Sequence, residues 1–246
     1  MAKIHVLLKK EELDNERLAG KTVIVLDVLF ATSTIVAALA SGVQEVIPTL
    51  NGEAAQRIAA GCAAGSYVLA GELDAMTLPG FAHPTPLALL REDVVGKTLI
   101  YSTTNGTVAL NKSATAQHVY AAALLNGRAV VAHVERVHPE ETVLIVCSGS
   151  ADNFNLEDFY AAGHLVSLFE RSAGGHEFSD AALAARMLAQ RNDARDCLRQ
   201  ARVGRMMQAW GLTDEVDYAA QHDLFDVVPR FDEGRLRALE PSNDHG

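Results

Sequence analysis

GKTVIVLDVLFATST, residues 20–34, returns as GKTLIYSTTNGTVAL at residues 96–110 and, more loosely, as ETVLIVCSGSADN at residues 141–153. Each copy opens on a threonine, runs through a short β-branched stretch and ends on polar residues, the pattern of a strand closing at a loop. Aligned on Thr22, Thr98 and Thr142, the residue five positions on is Asp27, Thr103 and Cys147. Further apolar runs at residues 4–8, 45–48, 67–70 and 118–121 alternate with Ala-rich helical stretches, which predicts an α/β sheet covered by helices. From residue 156 the spacing turns helical, over 156–170, 181–190 and 194–209, with two short strands expected near 225–228 and 236–239. The expected fold is a three-layer α/β/α arrangement with a mixed, largely parallel sheet and a helical C-terminal third. No Pro-rich or Ser-rich linker divides the 246 residues, so the chain reads as one domain. In open α/β sheets ligands bind beyond the carboxyl ends of strands, so the three repeat loops are the first place to look for a site.

Composition narrows the function classes. Lys plus Arg number 21 against 31 Asp plus Glu, a net charge of −10, which argues against a nucleic-acid or anionic-membrane partner. An anionic substrate must then be held by local donors. Three widely spaced cysteines form no CxxC pattern, which points to a reducing, cytoplasmic compartment rather than to disulfides or zinc. The apolar start of the chain is too short for a signal peptide, and the apolar stretch at 22–43 is interrupted by Asp27 and a Thr/Ser cluster. A homodimer or larger assembly is a fair expectation for a compact chain of this size. Both GKT triplets precede a strand, and the positions where a P-loop needs its first glycine are Asn15 and Arg91. No GxGxxG, HExxH or GxSxG is present.

Candidate site residues sit at the strand ends. Asp27 ends an apolar run, where a carboxylate needs a partner or a metal; it reads as a Mg²⁺ ligand or nucleophile, or as the N-cap of the helix expected near Ala31, a place Thr32 also suits. Thr103, Thr104, Asn105, Gly106 and Thr107 form either a cradle for a phosphate or sulfonate or a plain turn with a cap. Gly71-Glu72 follows the fourth apolar run and makes Glu72 a second ligand for Mg²⁺, which prefers one or two carboxylates. Glu157 and Asp158 stand at a helix start, where acids also complement the macrodipole. Cys147 has two readings, a thiolate nucleophile or a small core residue.

The blocks LDVLFATSTIVAALASGVQEVIP, AGEL, GKTLIYSTTNGTVAL, LLNGRAV, IVCSGSADNFNLEDFYAAG and AAQHDLFDVVP, in this order over residues 3–230, resemble the 2-phosphosulfolactate phosphatases. The resemblance implies an α/β/α hydrolase that uses Mg²⁺ to cleave a small anionic phosphorylated substrate, 2-phosphosulfolactate, to sulfolactate and phosphate, a step of coenzyme M biosynthesis. Matching positions are Asp27, Ala31, Thr32, Thr34, Gly71, Glu72, the five residues 103–107, Asn126, Cys147, Gly149, Glu157 and Asp158. In this reading Asp27, Glu72 and Asp158 hold the metal. The departures are Phe30, where the family usually has Arg, Leu73-Asp74-Ala75 in place of an Arg and two glycines, Asp152 and Asn153 near another expected Arg, and an altered stretch at 80–86. Since Arg binds carboxylates and sulfonates through a planar fork, these changes predict altered recognition of the substrate's acidic ends. A member that binds an anionic metabolite without hydrolysing it is the alternative.

Overall fold

A computed structural model of the chain describes residues 2–172 and 175–240. Among the described residues eleven strands form one sheet: β1 (Lys3–Leu7), β2 (Lys21–Leu26), β3 (Glu45–Thr49), β4 (Tyr67–Leu73), β5 (Met76–Thr77), β6 (Thr98–Ser102), β7 (His118–Ala122), β8 (Thr142–Cys147), β9 (Glu177–Phe178), β10 (Pro229–Asp232) and β11 (Arg235–Ala238). The spatial order is β5-β4-β6-β3-β11-β10-β7-β2-β8-β1-β9. Parallel pairing joins β4, β6 and β3 in one block, and β7, β2, β8, β1 and β9 in the other. The antiparallel hairpin β10–β11 is inserted between the blocks, held by two register pairs to β7 and by one to β3. This is the expected mixed, largely parallel sheet.

Strict alternation along the central strands shows why both faces are covered. Ile24, Leu26, Tyr120, Ala122, Ile145 and Cys147 point into one core, whereas Val23, Val25, Val119, Ala121 and Val146 point into the other. The first core is roofed by α5 (Gly127–Val137), α6 (Leu156–Arg171) and α7 (Asp180–Arg191), the second chiefly by α1 (Ala31–Ala40) and α4 (Gly106–Lys112). Two further helices are α2 (Gly52–Ala59), capped by Asn51, and α3 (Pro86–Leu89). None of the described helices is long and apolar enough to cross a membrane.

Two expectations change. The stretch at 194–209 is not one helix: it breaks at Ala201 into α8 (Ala194–Gln200) and α9 (Arg202–Ala209), followed by an unanticipated α10 (Thr213–Ala219). Gly204 explains how α9 folds back, since a Cβ there would lie 1.8 Å from the Leu198 carbonyl oxygen. The strand expected at 225–228 lies at Pro229–Asp232, where Pro229 opens the strand and removes one donor from its ladder.

At the amino-terminal edge of the sheet, the Tyr120 hydroxyl lies 2.9 Å from His138 Nε2 and 3.1 Å from His133 Nε2. Burial lowers both imidazoles, His133 to about 4. Between the ordinary histidine value and about 4 the unfolded chain therefore binds more protons, so this pair stabilises the fold above that window and loses its effect as pH falls through it. A His133→Gln variant is expected to show a shallower fall in melting temperature than wild type from pH 6.5 to pH 4; parallel curves would refute the assignment.

Candidate active site

The loops after β2 and β6 close on one another. Asp27 follows β2, and the backbone amides of Ala31 and Gly106, the first residues of α1 and α4, lie close enough to its carboxylate to favour the charged form. Two helix N-termini thus face one acid. Its own N–H donates to Thr32 Oγ1 at 2.9 Å, so Thr32 locks the loop from within. Gly106 is a steric requirement: a Cβ there would fall 2.6 Å from Asp27 Oδ2 and 2.5 Å from the Ala31 Cβ. Burial outweighs the two amides, and with the charge of Glu72 it pushes the Asp27 carboxyl up to about 6.

Glu72 lies near the end of β4, which continues to Leu73 rather than stopping at residue 70. Its Oε1 accepts from Thr104 N at 2.6 Å, and its Oε2 from Ala75 N at 2.6 Å and Thr104 Oγ1 at 3.0 Å. The hairpin from β4 to β5 turns through Asp74 and Ala75, with φ of 51° and 67°. That is the backbone of a two-residue hairpin turn which favours glycine. Ala75→Gly is accordingly expected to stabilise the protein by roughly 0.5–1 kcal/mol, read from denaturant midpoints; a loss of stability would show that the turn relies on the alanine methyl.

The 103–107 loop lies beside both acids. Its Thr104 and Gly106 amides are directed at Glu72 and Asp27, and the Thr103 and Thr107 hydroxyls bond within the loop itself. It is a frame that holds two carboxylates at the head of one cleft. Asn105 is held through Oδ1 by Lys10 Nζ at 3.0 Å.

The remaining predicted residues stand behind this pair. Asp158, on the first turn of α6, accepts from Val28 N at 2.9 Å and Gly149 N at 3.3 Å, so it ties the β2 and β8 loops together from beneath Asp27. Burial raises its carboxyl well above the usual range. Glu157 is 1% exposed, its Oε1 has no hydrogen-bond partner, and burial pushes it up to about 7. Thr34 Oγ1 donates to the Pro84 carbonyl at 2.9 Å, which fixes the cleft rim. Asn126 accepts from Ala123 N and donates to Val227 O, away from the acids.

Cys147 is a core residue. The repeat alignment put it level with Asp27, yet the sheet pairs it with Leu26, and a one-residue offset turns the side chain to the opposite face. It is fully buried, and its thiol is raised far above the ordinary value, chiefly by burial. Neither property suits a nucleophile.

The cleft above Asp27 and Glu72 has a volume of about 280 Å³ and includes residues that the sequence reading passed over. Lys10 is buried beside it, with Nζ 3.2 Å from the Ser148 carbonyl. Arg202, Met206 and Trp210 form a far wall on α9 and just beyond it. The spacing had placed these residues in one continuous helix over 194–209; the break at Ala201 brings them to the cleft.

Comparisons with known proteins identify the family. The family model described as 2-phosphosulpholactate phosphatase matches residues 7–234. A Symbiobacterium thermophilum protein named "Probable 2-phosphosulfolactate phosphatase" is 37% identical over 228 residues, covering 92% of this chain and 97% of that protein. A Clostridium beijerinckii protein of the same name is 30% identical over 236 residues, covering 95% and 98%. With a family match over residues 7–234 that includes both acids, and relatives covered almost end to end, this chain belongs to the 2-phosphosulpholactate phosphatase family.

Proposed function

We propose that this chain is a Mg²⁺-dependent phosphatase acting on 2-phosphosulfolactate or a related small phosphorylated hydroxy acid. The observation that supports it is the pairing of Asp27 and Glu72 in one cleft, with the charge of Glu72 helping to push Asp27 up to about 6. Two carboxylates in one cleft, the charge of Glu72 raising the cost of ionising Asp27, with oxygen donors only, suit a hard divalent cation. Asp27 and Glu72 would hold it. Asp158, with each carboxylate oxygen already accepting a backbone amide, would support the site from behind. When bound, Mg²⁺ would neutralise phosphoryl oxygens and polarise the phosphorus for attack.

The chain's own residues would do the positioning. Thr103, Thr104 and Asn105 line the cleft beside the acids, and Arg202 stands on the facing wall to meet an anionic oxygen. The two helix N-termini keep Asp27 ionised and oriented at neutral pH. The test is phosphate release from 2-phosphosulfolactate and a panel of phosphomonoesters, with Mg²⁺ and with chelator. Release that depends on the cation is the expected result. A folded protein that releases no phosphate from any ester would point instead to binding without hydrolysis.

A further inference from the structure

The phosphatase reading leaves one proton unassigned. The alcohol of a hydroxy acid leaves poorly as its alkoxide, so the ester oxygen needs a proton as its bond to phosphorus breaks. The groups already placed at the cleft do not supply it. Asp27 and Glu72 hold the cation in that reading, Arg202 keeps its proton, and the Tyr101 hydroxyl donates to the Pro84 carbonyl at 2.6 Å. Among the described lining residues His83 is the one imidazole. It falls in the stretch 80–86, where the sequence departs from the family's pattern.

The chain on either side holds His83 at the acids' end of the cleft. Ala82 pairs in parallel with Ala70 of β4, its N–H donating to the Leu69 carbonyl at 2.8 Å and its carbonyl accepting from Gly71 N at 3.3 Å. His83 thus runs alongside the strand end that carries Glu72. The next carbonyl, of Pro84, accepts from Thr34 Oγ1 of α1 at 2.9 Å and from the Tyr101 hydroxyl of β6. Those two elements also frame the acids, since α1 opens just after Asp27 and β6 leads into the 103–107 loop. Burial raises the Tyr101 hydroxyl well above its ordinary value, and the charges of Asp27, Glu72 and Glu215 add to the rise. The hydroxyl that anchors this segment therefore lies within reach of all three.

The ring's orientation is set as well. His83 Nδ1 lies 2.9 Å from Thr85 Oγ1, and Thr85 Oγ1 donates to Glu215 Oε1 at 2.6 Å. Glu215 is 3% exposed and also accepts the Leu87 and Ala88 amides, both at 2.8 Å, so it is an acceptor at each of these contacts. With its single proton directed at Glu215, the Thr85 hydroxyl accepts from Nδ1. Nδ1 then carries a proton, and Nε2, which has no hydrogen bond among the described residues, is the nitrogen left for a ligand.

We propose that His83 is the general acid that protonates the ester oxygen of the leaving alcohol, with Thr85 and Glu215 as the positioning pair behind it. This rests on the phosphatase reading and adds the leaving-group side of the reaction to it. As water bonds to phosphorus, the bond from phosphorus to the ester oxygen breaks and its electron pair stays on that oxygen. The Nε2 proton moves to the same oxygen and releases the free hydroxy acid. The proton that the attacking water sheds returns to Nε2 through solvent, and the water's oxygen leaves in the phosphate.

The test compares phospholactate with its 3,3,3-trifluoro analogue, whose alkoxide is stabilised by fluorine and leaves with less need of a proton. Wild type, His83→Gln, Thr85→Val and Thr85→Ser are assayed with Mg²⁺. His83→Gln is expected to lower kcat for phospholactate by about a hundredfold or more, and for the trifluoro ester by less than about tenfold, with little change in KM. Thr85→Val should show the same split in weaker form, and Thr85→Ser, which keeps the hydroxyl, should not. An equal fall for both esters, or no fall, would overturn the proposal and leave the phosphatase reading standing. Where wild type turns over 2-phosphosulfolactate alone, His83→Ala with added imidazole decides: restored release supports the proposal, and unrestored release overturns it. If wild type releases no phosphate from any ester, the phosphatase reading fails and the proposal with it. Histidine ¹⁵N NMR of the substrate-free protein, recorded with the ring neutral, gives a readout apart from activity. The His83 signals, assigned by their loss in His83→Gln, should place the proton on Nδ1 in wild type and Thr85→Ser and release it from that nitrogen in Thr85→Val. An unprotonated Nδ1 in wild type would overturn the orienting role of Thr85 and Glu215.

Discussion

Asp27→Asn is expected to lower phosphate release by about 10³-fold, several kcal/mol of lost cation-assisted stabilisation, while the metal-free protein becomes harder to unfold at pH 8. The two effects have one origin. In the folded protein the Asp27 carboxyl is pushed up to about 6, mainly by burial. A raised value means that the folded state holds its proton more tightly than the unfolded chain, so stability is fully present below the ordinary aspartate range and is lost as pH rises through about 6. The rise of about 2 units corresponds to at most about 3 kcal/mol. Asn recovers less than that, because its carbonyl can accept from Ala31 or Gly106 but its amide nitrogen then faces the other N–H. Chemical denaturation in chelator at pH 8 and pH 4 checks the sign: the variant should gain at pH 8 and gain little at pH 4. A variant destabilised at both values would show that the two backbone hydrogen bonds outweigh the buried charge.

What the sequence made legible follows from which signals are local. The strand runs were readable because central strands buried on both faces are continuously apolar. Asp27 and Glu72 stood out as acids closing such runs, and the 103–107 loop by its density of hydroxyl residues. The functions of that loop were not readable, since the direction of the Thr104 and Gly106 amides depends on β4 and β2, more than 30 and 70 residues earlier in the chain. Cys147 misled because repeats aligned on threonines carry no register, whereas the β2–β8 ladder does. The hairpin β10–β11 was foreseen as two strands, but nothing in four-residue runs shows that they enter the middle of the sheet. Lys10, Arg202 and Trp210 lay outside every motif, because a single side chain carried to a cleft by a helix break has no periodic trace. The arginine departures at Phe30 and Asp152 were visible, and the structure adds what stands there: Phe30 packs into the core at the edge of the cleft, and Asp152 pairs with Lys9 at 2.7 Å.

Gly106→Ala should be the most informative substitution outside the acids themselves. The added Cβ would lie 2.5 Å from the Ala31 Cβ, 2.6 Å from Asp27 Oδ2 and 2.9 Å from the Asp27 Cβ. None of these atoms is the free end of a flexible side chain, since Ala31 opens α1 and Asp27 is held by two amides. The α1 and α4 termini must move apart, at an overpacking cost of about 1–3 kcal/mol. The Asp27 carboxylate must move with them, and a displacement near 1 Å in a catalytic group costs on the order of 10²-fold in rate. Gly20→Ala is the matched control. Gly20 has a φ of 72° with nothing within 4 Å of its added Cβ, so alanine there meets backbone strain of about 1–2 kcal/mol and no clash. It also lies at the opposite end of β2 from Asp27. The pair is therefore expected to show comparable falls in stability and very different falls in kcat. Equal activity in the two variants would mean that the α1–α4 junction can open without moving Asp27, and that the contact between the two helix termini serves the fold alone.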